Sequence, residues 1–91
     1  MDGLKPEAFR RLADGATVTA MRNRTDNWRE AAAWAAAALE YEVFGRLVIR
    51  TPIGLMTAHL NNSWIVRDAK GVFRVCGDAR FRKLYGPMGV A

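Results

Sequence analysis

Residues 61–77, NNSWIVRDAKGVFRVCG, decide the fold that we expect from this sequence. Two runs rich in β-branched and aromatic residues, SWIVR and VFRVC, flank the turn sequence DAKG. Such runs favour β-strands, and Gly71 suits the end of a turn because glycine readily adopts positive φ. The stretch therefore predicts strands at residues 63–67 and 72–76 that pair as an antiparallel hairpin.

The preceding residues also alternate between short strand-like runs and turn sequences. RLVIRT and LMTAHL, residues 46–51 and 55–60, predict a second hairpin around the turn PIG. Asn61 and Asn62 then predict a turn into the next strand, because asparagine tolerates the left-handed region. The segment ATVTAMR, residues 16–22, alternates and predicts a further strand. Together these segments predict an antiparallel meander of four to five strands.

Three segments predict helices. KPEAFRRLA, residues 5–13, places apolar side chains three apart and has proline in the first turn. A second helix is expected from Asn27, with Glu30 completing a capping-box-like start, to Leu39 or Glu40. A last short helix is expected from Asp78 onward, where an aspartate can cap the N-terminus.

The expected fold is α+β, with the central helix packed on the meander and short helices at the N- and C-termini. The 91 residues correspond to a single domain. Residues 1–15 are expected to be an N-terminal helical extension, and residues 16–88 the core.

The charge is concentrated in the second half of the chain. Of the net charge of +5, residues 1–42 contribute −1 and residues 43–91 contribute +6. A basic surface attracts anionic partners, although basic residues are also common on ordinary solvated surfaces. The candidate partner-binding residues are Arg67, Lys70 and Arg74 on the hairpin, Arg80, Arg82 and Lys83 on the last helix, and Trp28.

Residues that could support catalysis or metal binding are few. Cys76 and His59 are each the only residue of their type, which is too few for a structural zinc site. His59 has no carboxylate or nucleophile placed beside it in sequence, and no pair of carboxylates suggests acid–base chemistry. A reactive Cys76 close to Arg74 is conceivable, but we expect this residue to pack as a small apolar group. We therefore expect a protein that is not an enzyme and that needs no cofactor or metal.

Neither the start of the chain nor its longest apolar run predicts a membrane segment. The opening MDGLKPEAFRRLADG lacks the apolar centre of a signal peptide. The run AAAWAAAALE is too short to span a bilayer. The expected location is the cytoplasm, and no membrane partner is expected.

The segment RLVIRTPIGLMTAHLNNSWIVRDAKGVFRVCGDARFRKLYGPM resembles a widespread family of small conserved phage and prophage proteins. The upstream stretch VTAMRNRTDNWRE resembles the strand, turn and helix opening of the same family, so the resemblance extends over residues 16–88. In that family a strand and a glycine-containing turn lead to methionine, and aromatic strands then lead to cysteine and a closing helix. Asn62-Ser63 stands where the family has Gly-Asp, and Gly77-Asp78 where it has Lys-Pro. The matching positions are Thr51, Gly54, Met56, Trp64, Ile65, Val66, Gly71, Phe73, Cys76, Phe81 and Tyr85.

This resemblance implies a phage or prophage origin and a shared fold, but no reaction, because the family has no settled activity. Together with the absence of a catalytic pattern, it leads us to expect a small phage protein that docks on a host protein or complex and modulates it. A host defence system or a nucleic-acid-handling complex is a reasonable target. The alternative is direct nucleic-acid binding through the basic C-terminal half. Homodimerisation through a strand edge also remains open.

Overall fold

The computed structural model describes residues 4–88, which form a small domain of mixed α and β structure, mostly β. The helices are α1 (Trp28–Trp34), followed by a short 3-10 helix at Ala36–Ala38, and α2 (Asp78–Leu84). The strands are β1 (Glu7–Arg11), β2 (Thr17–Arg22), β3 (Leu39–Val43), β4 (Arg46–Thr51), β5 (Gly54–Ala58), β6 (Ser63–Arg67), β7 (Phe73–Gly77) and β8 (Tyr85–Pro87).

The strands form two antiparallel sheets. The large sheet has the order β7-β6-β2-β1-β8, and the small sheet has the order β3-β4-β5. The hairpins β4–β5 and β6–β7, the strand β2 and the closing helix α2 agree with the sequence analysis. The prediction of a single meander was wrong, because the chain leaves the small sheet after β5 and enters the large sheet at β6. Asn61 lies at this crossing in the left-handed conformation, with φ 64°.

The prediction of an N-terminal helix was also wrong. Residues 7–11 form strand β1, which lies inside the large sheet between β2 and β8. Phe9 and Leu12, whose spacing suggested one helix face, have different environments: Phe9 is buried and Leu12 is exposed. A short isolated helix gains little stability by itself, whereas β1 gains ladder hydrogen bonds on both edges and places Phe9 against the rings of Trp64 and Phe81.

The central helix is shorter than expected and does not lie on a meander. It ends at Trp34, and the chain becomes strand β3 at Leu39 after the 3-10 helix. The reason lies in LEYEV, residues 39–43, where apolar and acidic residues alternate with the period of a strand. The alanine run before it fits the space between the sheets, where Ala31, Ala35 and Ala38 are buried.

Both faces of the large sheet are buried, which creates two apolar clusters. The cluster between the two sheets includes Met21, Ile65, Leu47 and Ile49, and α1 covers it. On the opposite face Phe9, Val18, Trp64 and Val66 pack against Phe81 of α2 and Tyr85. Strand β6 contributes alternate residues to the two clusters, as the period of two in a strand requires.

A buried asparagine links the two sheets. Asn23, which follows β2 and is completely buried, donates its side-chain amide to the carbonyl oxygens of Gly45 at 3.0 Å and Ala58 at 2.8 Å. Both acceptors belong to the small sheet or its β3–β4 turn. The main chain of Asn23 also pairs with Ser63 and Asn61. One residue therefore fixes the crossing segment and the small sheet to the large sheet.

We predict that replacing Asn23 weakens the fold by loss of these bonds. Asn23→Ala should lower the free energy of unfolding by about 2–4 kcal/mol, because two buried carbonyl groups lose their donor. Asn23→Asp should lower it further at pH 7, where a carboxylate would face two carbonyl oxygens. Urea unfolding measures both, and Asn62→Ala, at an exposed side chain, should change stability by less than about 0.5 kcal/mol. Equal stability of the parent and both Asn23 variants would contradict this role.

Candidate functional site

A groove of about 420 Å³ runs along β7, and we call it the edge groove. Its volume lies within the range of about 300–1,000 Å³ that is usual for ligand sites. Residues 74–77 of β7 form its floor. One wall is the β4–β5 hairpin with Ile53 and Met56, and the other is α2 and the start of β8 with Arg80, Leu84 and Tyr85.

The groove follows the free edge of β7 rather than one face of the sheet. Successive residues of a strand point to opposite faces, yet four consecutive residues of β7 line the groove. Strand β7 is the last strand of the large sheet, and within residues 4–88 it pairs only with β6. Its outer edge therefore presents backbone groups that no other described strand occupies.

Two cations border the groove on the α2 side. Arg74 lies opposite Val66 in the β6–β7 ladder and so shares the face of the sheet that α2 covers, and Arg80 comes from α2 itself. Both side chains are exposed, and neither forms an ion pair or hydrogen bond with another residue of the described range 4–88. The described residues that line the groove include no acidic side chain. This wall therefore carries two cations without an ion-pair partner among residues 4–88, although Asp68 interacts with Arg74 electrostatically at longer range.

The thiol and the phenol that line the groove are held in their neutral forms. Burial raises the pKa of the Cys76 thiol to about 11, although the nearby Arg80 acts in the opposite direction. Burial also raises the pKa of the Tyr85 hydroxyl, against the opposing effects of Arg11, Arg74 and Arg80. At neutral pH the groove thus offers a thiol and a phenol rather than nucleophilic anions.

A hydrogen-bonded brace holds the α2 wall against the large sheet. The Trp64 indole Nε1 donates to Asp78 Oδ1 at 2.8 Å, and the Trp64 ring stacks on Phe81 with centroids 4.0 Å apart. This hydrogen bond is the main reason that the pKa of Asp78 is lowered, with a further contribution from Arg82. Asp78 was expected to cap α2, but its side chain serves Trp64 and Arg82 instead.

The remaining basic residues on the hairpin do not join Arg74 and Arg80. Arg67 lies on the opposite face of the large sheet from Arg74, with its guanidinium 5.1 Å from the centre of the Trp34 ring. Lys70 is exposed in the β6–β7 turn. Arg67 and Arg74 therefore project to opposite faces of the hairpin, because Arg67 lies opposite Phe73, the neighbour of Arg74, and the role of these residues in partner binding stays a prediction.

The other candidates also lie outside the edge groove. Arg82 pairs with Asp78, its Nε lying 3.0 Å from Oδ2, and borders a separate depression beside Trp64. Lys83 is exposed on α2. Trp28 is half-buried and packs against the cluster between the two sheets. The structure thus brings together only Arg74 and Arg80 from the set that the sequence suggested.

The apolar wall of the groove was not predicted from the sequence. Ile53, at the β4–β5 turn, is 81% exposed, and the half-buried Met56 lies beside it in the same wall. The available signal was the isoleucine in the turn PIG, where a polar residue is more usual. The meeting of this turn with the edge of β7 depends on how the two sheets pack, which no local pattern reveals.

A second exposed apolar surface lies on the outer face of the small sheet. Tyr41, Val43 and Leu55 are exposed there. The neighbouring Arg50 is already paired with Glu40 and with the carbonyl oxygen of Ala37. Arg46, which lies opposite Val43, is exposed on this face and has no ion pair among the described residues, so the face offers one unpaired cation within residues 4–88 where the edge groove offers two.

Other sites have little support among the described residues. No group of three or more His, Cys, Asp or Glu side chains within residues 4–88 is arranged to hold a metal ion. His59 is exposed next to the sheet crossing. Neither described helix has the length and apolar character needed to cross a membrane.

Comparisons of the chain with protein-family models, curated proteins and solved structures found no match.

We predict that the Cys76 thiol reacts slowly in the folded protein. Raising its pKa from 9.0 to about 11 lowers the thiolate fraction at pH 8 by roughly 100-fold. Alkylation by iodoacetamide at pH 8, followed by mass spectrometry, should therefore be roughly 100-fold slower for the folded chain than in concentrated urea. Equal rates in the two conditions would show an accessible thiolate and would reopen a nucleophilic role.

We also predict that Trp64 controls the titration of Asp78. In the folded protein the pKa of Asp78 lies below its ordinary value of 3.8, so its ionisation stabilises the fold above that pH. This stabilisation is lost as the pH falls through the lower folded value. Trp64→Phe keeps an aromatic ring beside Phe81 but removes the donor, so the pKa of Asp78 should rise.

Carboxyl NMR measures this titration, and Asp78→Asn identifies the resonance by removing it. In Trp64→Phe the stability should also depend less on pH in the acid range below about pH 4. An unchanged Asp78 titration in Trp64→Phe would contradict the brace.

Proposed function

We propose that this chain is a phage-encoded, non-catalytic binding protein that docks on a host protein in the host cytoplasm and modulates it. We further propose that the edge groove is its docking surface. The observation that carries this proposal is the combination, at one place, of an exposed apolar turn with two arginines and a strand edge that have no ion-pair or strand partner among residues 4–88.

Each part of this combination is a feature that protein interfaces use. Arginine is enriched at protein interfaces relative to other surfaces, and an exposed residue such as Ile53 gains free energy when a partner covers it. A strand edge can bind another chain through main-chain hydrogen bonds. The neutral thiol of Cys76 and phenol of Tyr85 fit a surface that binds rather than one that reacts.

The phage origin rests on the family resemblance of residues 16–88, and the host target rests on that resemblance together with the lack of a catalytic pattern in the sequence. A small protein that acts by docking needs only one well-placed surface, which a 91-residue chain can supply. A host defence or nucleic-acid-handling complex remains the target class that we favour.

Direct nucleic-acid binding is the second candidate, because residues 43–91 carry a net charge of +6. A nucleic-acid groove requires cations that follow the phosphate backbone, often with exposed aromatic rings for stacking. Here the cations Arg67, Arg74 and Arg82 border three different depressions. Trp64 and Phe73, which could have stacked on bases, are buried. These placements favour the protein partner.

We predict that a host protein is captured through the edge groove. Tagged parent protein expressed in host cells should recover one protein in near-stoichiometric amount. The double variant Arg74→Glu/Arg80→Glu should recover it roughly tenfold less, because its charge is reversed beside the partner. The matched control Lys70→Glu/Lys83→Glu has the same net charge of +1, against +5 in the parent, and should behave like the parent.

Nuclease treatment separates the two candidate functions. Recovery of the protein partner should survive it. Loss of recovery after nuclease, or equal loss in the two double variants, would favour nucleic-acid binding through general charge. Recovery of no stoichiometric partner would contradict the docking proposal.

A further inference from the structure

We propose that the edge groove binds an extended segment of the partner in which acidic and apolar side chains alternate, and that this segment adds a strand to β7. The inference rests on the proposed docking function and specifies the chemistry and the conformation of what is bound.

The backbone of β7 supplies the first requirement, which is an extended occupant. The groove follows residues 74–77 along the free edge, and four residues of extended chain span about 13 Å. A strand laid beside this edge would satisfy backbone donors and acceptors that β6 leaves unused, as in other examples of strand addition.

The α2 wall supplies the second requirement, which is negative charge. A strand added to β7 would direct every second side chain towards α2. There it would meet Arg74 and Arg80, which have no ion-pair partner among residues 4–88. Carboxylates suit this wall because an arginine can bind one with two parallel hydrogen bonds. No acidic residue among the described groove residues competes for the arginines.

The hairpin wall supplies the third requirement, which is apolar character at the intervening positions. The remaining side chains of the added strand would point towards the face of the large sheet on which Val75 lies, between the two sheets. Ile53 and Met56 of the hairpin wall lie on this side. Covering the exposed Ile53 removes apolar surface from water. The two walls would therefore contact alternate side chains of a single added strand.

The groove fits a peptide better than it fits a nucleic acid. Its only aromatic lining residue among those described is Tyr85, which is 8% exposed and offers little surface for base stacking. Nucleotides also lack the regular donors and acceptors that would pair with a strand edge.

This chain itself contains a segment of the required pattern, Leu39–Val43, which is the exposed edge strand β3. A second copy is therefore the rival occupant. However, both carboxylates of β3 are already engaged within the chain, Glu40 by Arg50 and Glu42 by the N–H of Gly45, so a second copy would not offer free carboxylates to Arg74 and Arg80. We therefore assign the groove to a different protein, and the test includes self-association.

The test uses the fluorescent peptide EVEIEVE and measures anisotropy against the whole protein at about 150 mM salt. The parent and Lys70→Glu/Lys83→Glu should bind it within about twofold of each other. Binding to Arg74→Glu/Arg80→Glu should be roughly tenfold weaker or worse. The peptide EEEEVIV has the same composition and charge without the alternation, and it should bind the parent roughly tenfold more weakly than EVEIEVE.

Backbone methylation tests strand addition separately from charge. N-methylation at one set of alternate residues removes the N–H groups that face β7, and at the other set it removes those that face away. One methylated EVEIEVE peptide should lose binding and the other should keep it within about threefold. Equal effects of the two methylations, or equal affinity for EVEIEVE and EEEEVIV, would overturn the inference.

Two further outcomes would also overturn it. Arginine-dependent binding of a single-stranded oligonucleotide that is tighter than peptide binding would assign the groove to nucleic acid. Self-association of the parent at micromolar concentration that Arg74→Glu/Arg80→Glu abolishes would assign the groove to a second copy. If instead host-protein capture depends on Arg74 and Arg80 while EVEIEVE does not bind, the docking function stands and only the strand-addition inference fails.

Discussion

The burial of strand β6 on both faces is the constraint on which the rest of the structure depends. Its residues alternate between two apolar clusters, so the large sheet must be covered on both sides. The small sheet and α1 cover one side, and α2 covers the other. Asn23 anchors the first layer through its bonds to Gly45 and Ala58, and the bond between Trp64 and Asp78 anchors the second. Without these layers the apolar residues of β6 would face water at considerable free-energy cost.

The edge groove is a consequence of this layered arrangement. The two covering layers meet at β7, which ends the large sheet, but neither layer pairs with its edge. The hairpin brings apolar Ile53 to one side, and α2 brings Arg80 to the other side beside Arg74. An exposed strand edge is usually protected by charge, because it would otherwise promote aggregation. Here the two arginines can protect the edge and also select a partner. Their positive charge repels a second copy of this basic chain and attracts an acidic segment.

The sequence predicts those parts of the fold that depend on neighbouring residues. The two hairpins and α2 follow from β-branched runs, turn residues and short-range spacing. The strand conformation of residues 7–11 could not be predicted from local patterns, because Phe9 packs against Trp64 and Phe81, which lie far away in sequence. The alternation in LEYEV was a local signal for β3 that the preceding alanines obscured. Arg74 and Arg80, which line the groove, were recognised as candidates from the sequence. Their grouping depends on tertiary packing, which composition and spacing do not encode.

The proposed mode of docking places an extended acidic segment along the outer edge of β7. Intermolecular nuclear Overhauser effects between the isotope-labelled protein and EVEIEVE test it most directly, because they report which backbones lie side by side. Strand addition should give contacts between peptide backbone protons and residues 74–77, with valine and isoleucine side chains near Ile53 and Met56. Contacts confined to the outer face of the small sheet, or to the side chains of α2 without any to the β7 backbone, would contradict it.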